Sequence, residues 1–164
     1  MQPTRLTTRT HPPTRILVVD DEESICTVLA RTLAPLGYSV DVALDADSAL
    51  DVMKERPADV ALVDIRMPGH DGVWLIERLQ KAYAATAIII VTGILDLDPR
   101  VSLRPGVVGY LTKPFEGERV REAVTEAVAQ VQALARDASA RALSEPLAEH
   151  QLADPGDADD KDGS

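Results

Sequence analysis

Four polar stations could do chemistry in this chain: Asp20-Asp21-Glu22, Asp64, Thr92 and Lys113. Each ends or follows a short apolar run, so folding can gather them at one edge of a sheet. Two unit charges 4 Å apart interact by ~4 kcal/mol at an effective dielectric of 20. Three converging carboxylates therefore repel strongly, and some are forced to protonate unless cations offset them. Lys113 offsets part of the charge. A hard dication offsets more, and Mg²⁺ suits an all-oxygen site that keeps some waters. In such a site Asp64 is the candidate nucleophile that takes a phosphoryl group as an aspartyl phosphate. Asp20 and Asp21 are candidate metal ligands, while Lys113 and the Thr92 hydroxyl are placed to meet phosphoryl oxygens. Taken alone, Asp20 and Asp21 could equally cap a helix, and Thr92 could be an ordinary strand-end hydroxyl. In register with Asp64 and Lys113, they form a cluster too costly for a purely structural role.

The elements that must position these groups are legible. Ile16–Val19, Val60–Val63, Ala87–Val91 and Val107–Leu111 are continuous apolar runs rich in β-branched residues, the pattern of strands covered on both faces. Ser39–Ala43 alternates and suits an edge strand. Helix-period segments lie between them: Ser24–Leu36 stopping at Gly37, Asp47–Arg56 with Asp47 as N-cap, Gly72–Tyr83, and a long last helix from near Glu116. Five strands alternating with helices predict an α/β fold, a doubly wound five-stranded parallel sheet of order 2-1-3-4-5 in a flavodoxin-like three-layer sandwich. Ligands bind such sheets beyond the carboxyl ends of the strands, where these polar residues fall. Neighbouring first and third strands, ~4.8 Å apart, make Asp20, Asp21 and Asp64 converge.

Composition bounds the rest. The chain has 164 residues and a formal charge of -10, with 45% hydrophobic and only 3% aromatic residues. That length suits one domain of ordinary size. The acidic balance argues against direct DNA binding, and so few aromatics argue against a base-stacking platform. A single Cys26 allows no internal disulfide, and no apolar run nears ~18 residues, so a cytoplasmic protein outside the membrane is expected. Residues 1–14 read as a disordered N-terminal segment. The folded unit is expected over 15–135, with a helix extension and a disordered acidic tail over 136–164. His11, His70 and His150 show no ligand spacing, and Trp74 and Cys26 read as helix-surface or core residues.

Together these stations resemble the receiver domain of bacterial two-component response regulators. The resemblance rests on Asp-Asp-Glu after the first strand, Asp64-Ile65-Arg66-Met67-Pro68-Gly69 with Asp71-Gly72, Thr92-Gly93, and Tyr110-Leu111-Thr112-Lys113-Pro114-Phe115. The intervals Asp21 to Asp64, Asp64 to Thr92 and Thr92 to Lys113 are also family-like. It implies that Asp64 is the phosphoacceptor, charged from a sensor histidine kinase or histidine phosphotransfer protein. Mg²⁺ would be held by Asp20, Asp21, Asp64 and the backbone carbonyl of Arg66. Lys113 would contact the phosphoryl group, and the Lys113-Pro114 bond is usually cis in this family. Thr92 and Tyr110 would form the switch pair, the hydroxyl moving to the phosphate and the ring turning inward. The reordered face of the fourth helix, fifth strand and fifth helix would meet a downstream protein or a second subunit. A stand-alone receiver is expected, catalysing only its own phosphorylation and dephosphorylation.

Some features depart from that family. Pro105 forbids extension of the fourth helix, which is limited to about Pro99–Leu103 with Asp98 as cap. A short or irregular helix of raised mobility is expected there. Gly93 stands where a small Ala is usual. Arg66 and Ile94 are expected to border the phosphoryl group. In the last helix Val120, Val124, Ala127, Val131, Leu134, Ala138 and Arg141 fall at spacings of four and three, read either as a helix that frays past Leu134 or as a weak coiled-coil or docking seam. Two other functions stay open. One is a receiver-like binding module not controlled by phosphorylation. The other is an aspartyl-phosphate phosphohydrolase, against which adjacent Asp20-Asp21 and a nucleophile after the third strand both argue. A flavin-mononucleotide binder is excluded, because acids stand where its phosphate loop would be.

Overall fold

Alternation of side chains along buried strands sorts the core into two layers. The computed structural model describes residues 12–93 and 98–144. Its strands are β1 (Arg15–Val19), β2 (Ser39–Ala43), β3 (Val60–Asp64), β4 (Ala87–Thr92) and β5 (Val107–Thr112). All pair in parallel, in the order β2-β1-β3-β4-β5. The helices are α1 (Glu23–Leu33), α2 (Ala46–Glu55), α3 (Gly72–Ala82), α4 (Pro99–Ser102) and α5 (Gly117–Ser144).

On one face of the sheet Leu17, Val19, Ala61, Val63, Ile88 and Ile90 pack against Ala49 and Met53 of α2, Leu75, Ile76 and Leu79 of α3, and Val101 of α4. On the other, Ile16, Val18, Leu62, Ile89, Val91 and Leu111 meet Cys26, Leu29 and Leu33 of α1 and Val120, Val124, Ala127 and Val128 of α5. This is the expected α/β sandwich with the expected strand order. The order reverses between β1 and β3, which places their carboxyl ends side by side.

Several boundaries differ from the sequence reading, each for a local reason. The first helix does not run unbroken to Leu36. It ends at Leu33 and tightens into one 3-10 turn, Ala34–Leu36, because Pro35 lacks the N–H that another α-helical turn requires. Gly37 then closes the turn at φ 88°. Asp45, not Asp47, caps α2: its carboxylate accepts from Ser48 N at 2.7 Å, and Asp47 sits in the first turn. The fourth helix is as short as Pro105 demands, a single turn capped by Asp98, which accepts from Arg100 N at 2.9 Å. The last helix continues unbroken to Ser144, so of the two readings of its end, fraying past Leu134 is not found. Its residues 132–144 are all exposed. Ile94, the N-terminal segment through His11 and the acidic tail from Glu145 lie outside the described residues.

Candidate functional site

Three carboxylates share the carboxyl edge of β1 and β3. One oxygen from each of Asp20, Asp21 and Asp64 lies within 4.8 Å of the others. Asp64 is the last residue of β3, and Asp20 follows β1 directly. Both are buried, whereas Asp21 is exposed. The loop after β1 is turned tightly: Glu22 N donates to Asp20 Oδ1 at 2.9 Å, and the buried Cys26 thiol donates to the Asp20 carbonyl at 3.3 Å. Neither Asp20 nor Asp21 acts as side-chain cap of α1, whose N-cap is Glu22 without a capping bond.

Lys113, just beyond β5, reaches back across β4 into this cluster. Its Nζ lies 2.6 Å from Asp20 Oδ2, 3.5 Å from Asp64 Oδ2 and 3.8 Å from Glu22 Oε1. Its own backbone is held to the end of β4, where Lys113 N donates to Thr92 O at 2.8 Å, and the Lys113–Pro114 bond is cis. Thr92 is fully buried, one residue beyond Val91, the β4 partner of Asp64. The Arg66 peptide borders the cluster, its N–H donating to Asp64 Oδ1 at 3.4 Å, while its side chain is exposed.

One lysine does not balance this charge. Burial first, then the neighbouring Asp20 charge, push the Asp64 carboxyl up to about 6, against the opposing pull of Lys113. Burial pulls the Lys113 ammonium down. The contact with Asp20 and the charges of Asp64, Asp20 and Glu22 outweigh it, so the net shift is upward. Asp20 Oδ2 is buried and, although 2.6 Å from the ammonium, has no hydrogen bond of good geometry. An enclosed anionic oxygen, two further carboxylates and an open rim at Asp21 fit a small hard cation with oxygen ligands. Asp20, Asp21 and Asp64 are the residues able to hold it.

Three contacts were not evident from residue types. Gly72 lies so close beneath the site that a β-carbon there would stand 2.1 Å from the Asp64 carbonyl oxygen. The Asp71-Gly72 pair was visible in the sequence, but nothing there shows α3 pressing against the end of β3. Cys26, seen only as a packing residue, underlies Asp20. Burial and the Asp20 charge push its thiol up to about 11, so it is inert as a nucleophile. His70 and Trp74 stack at a centroid distance of 3.7 Å, with Arg78 over the indole. Tyr110 is not gathered into the cluster. The residue is 54% exposed, beside Phe115 and Arg119 in a cleft between β5 and the start of α5.

Residues 16–125 match the response regulator receiver domain family. The chain belongs to that family. Among curated relatives, this receiver is 35% identical over 115 residues to the transcriptional regulatory protein ZraR of Salmonella typhimurium, covering 70% of this chain and 26% of the relative. It is 37% identical over 107 residues to the transcriptional regulatory protein DltR of Streptococcus agalactiae, covering 65% and 48%. The chain thus spans from a quarter to half the length of these relatives. Among solved structures, a signal receiver domain of an HD domain-containing protein from Pseudomonas fluorescens superposes with a TM-score of 0.71 at 30% identity, over 74% of this chain and 99% of that one. A CheY-like receiver domain from Methanospirillum hungatei gives 0.71 at 29% identity, over 74% and 98%. The flavodoxin-like fold, the family and its place in two-component, phosphorylation-dependent signalling are therefore shown. No helix of the described residues is long and apolar enough to cross a membrane.

Proposed function

We propose that this receiver takes a phosphoryl group on Asp64 from the phosphohistidine of a sensor histidine kinase or phosphotransfer protein. The observation that carries this is the convergence of Asp20, Asp21 and Asp64 with Lys113, a cluster whose charge is unbalanced as it stands. With its carboxyl at about 6, Asp64 is mostly ionised at neutral pH and competent to attack. A carboxylate oxygen bonds to phosphorus, the phosphorus–nitrogen bond of the donor breaks, and the departing imidazole takes up a proton. Asp20, Asp21, Asp64 and the Arg66 carbonyl would hold Mg²⁺, which would supply positive charge for the donor's phosphoryl oxygens. Lys113 leaves its short contact with Asp20 to bind one of those oxygens, and the Thr92 hydroxyl bonds another. Hydrolysis of the aspartyl phosphate by water resets the site, and no other substrate is turned over.

Output goes through protein contact. The exposed Tyr110 ring turns inward behind Thr92 as the hydroxyl moves to the phosphoryl group, changing the face of α4, β5 and α5. A downstream protein or a second copy binds there. The receiver unit extends over 15–135, and α5 projects beyond it. The test is incorporation of one phosphoryl group from a small-molecule phosphodonor. Uptake in Mg²⁺ that is abolished by chelator supports the reading. No uptake under either condition would leave a binding module that phosphorylation does not control.

A further inference from the structure

Helix α3 carries a basic and aromatic stripe that the phosphoacceptor site does not use. His70, Trp74, Arg78 and Lys81 recur at helical spacing along one outer face, at or just before α3. His70 stacks flat on Trp74 at 3.7 Å with a 3° interplanar angle, and the Arg78 guanidinium lies 3.5 Å over the same indole. That stack holds the side chains in place, so ordering them on binding costs little entropy. The one acid within α3, Glu77, is engaged by Arg104 at 2.9 Å. Among the described residues no carboxylate pairs with Arg78 or Lys81, both exposed. In a chain of charge -10, this is an unpartnered cationic surface around the only tryptophan.

We propose that residues 145–164 of the same chain fold back onto this stripe. The segment carries seven acids and one lysine, and four of the acids, Asp157, Asp159, Asp160 and Asp162, fall in its last eight residues. Its start is favourably placed. Helices in a parallel α/β sheet run opposite to the strands, so the last turn of α3, with Lys81, lies at the end from which α5 leaves the domain. The thirteen exposed residues 132–144 project by ~20 Å at the helical rise. Twenty residues of extended chain span ~65 Å, enough to return along that projection, pass the sheet edge and lie along Lys81, Arg78 and Trp74. The proposal does not depend on phosphorylation of Asp64.

Trp74, being the only tryptophan, reports directly. Acrylamide quenching of its emission is measured in the full chain and in a full-length variant with Asp157, Asp159, Asp160 and Asp162 changed to Asn. Going from about 10 mM to 1 M salt shortens the screening length from ~30 to ~3 Å and releases the segment. The expected result is a quenching constant that rises about two-fold with salt in the wild type and is already high, and salt-independent, in the neutralised variant. Lys81→Glu reproduces the neutralised variant without touching the indole. Equal quenching of wild type and neutralised variant at low salt overturns the proposal. So does protection that grows with protein concentration, which would assign the occupant to a second copy.

Discussion

The acidic site and the proposed output face are built differently. At β1 and β3, the acidic site is enclosed: Asp20 and Asp64 are buried, Lys113 bridges them, and Gly72 packs against the Asp64 carbonyl. At α4 and β5 the structure is thin, with one helical turn between Asp98 and Leu103 and an exposed Tyr110. Among the described residues, two polar contacts join the loop after α4 to α3: the Arg104–Glu77 ion pair and a hydrogen bond from the Gln80 amide to the Pro105 carbonyl. The contrast assigns rigidity to the end where charge must be held against repulsion. It assigns adaptability to the end where the proposed switch would act.

The largest effect should come from the cation that bridges the cluster. Lys113→Met should lower the rate of phosphoryl uptake by about 10²–10³-fold, the scale for removing one stabiliser of developing charge. It should also raise the Asp64 carboxyl beyond about 6 in the chelated protein, read by carboxyl NMR. An unchanged rate would show that Lys113 serves only to balance charge.

Next is Gly72→Ala. A β-carbon 2.1 Å from a backbone oxygen cannot be accommodated by a rotamer change, so β3 and α3 must separate at a cost of ~3 kcal/mol. Urea denaturation checks this, and a loss below ~1 kcal/mol would mean that the packing under Asp64 is loose.

The pH dependence has a definite sign. Asp64 has a folded pKa near 6, above the ~3.9 of an unfolded aspartate. The folded state therefore binds the extra proton between those values, and stability falls as pH rises from ~4 to ~6. In chelated protein, Asp64→Asn should stabilise by up to ~3 kcal/mol at pH 8, with the gain gone below about pH 4. A gain that persists into acid would point to packing instead of charge.

The smallest effect belongs to the thin end. Arg104 and Glu77 are partly exposed, so Arg104→Ala should cost under ~1 kcal/mol. A cost comparable to that of Gly72→Ala would erase the contrast between the two regions.

The difference also explains what the sequence could reveal. Strand order, layers and the four polar stations were legible because each reduces to a short-range rule: unbroken β-branched runs, and polar residues at strand ends. The short α4 was legible too, since Pro105 acts on its immediate neighbour. The α2 cap was misplaced by two residues because Asp45 and Asp47 are chemically equivalent, and only backbone geometry chooses between them. Gly72 beneath Asp64, Cys26 beneath Asp20 and the His70–Trp74–Arg78 stack depend on how a helix seats on the sheet or on side-chain rotamers. Residue types alone do not encode these. Tyr110 was named from its place in a motif, and its outward ring could only come from the structure.

The most direct test is the intact mass of wild type and Asp64→Ala after incubation with a phosphodonor and Mg²⁺. The wild type should gain one phosphoryl group and Asp64→Ala none. Equal gain in both proteins, placing the phosphoryl group elsewhere, would contradict it.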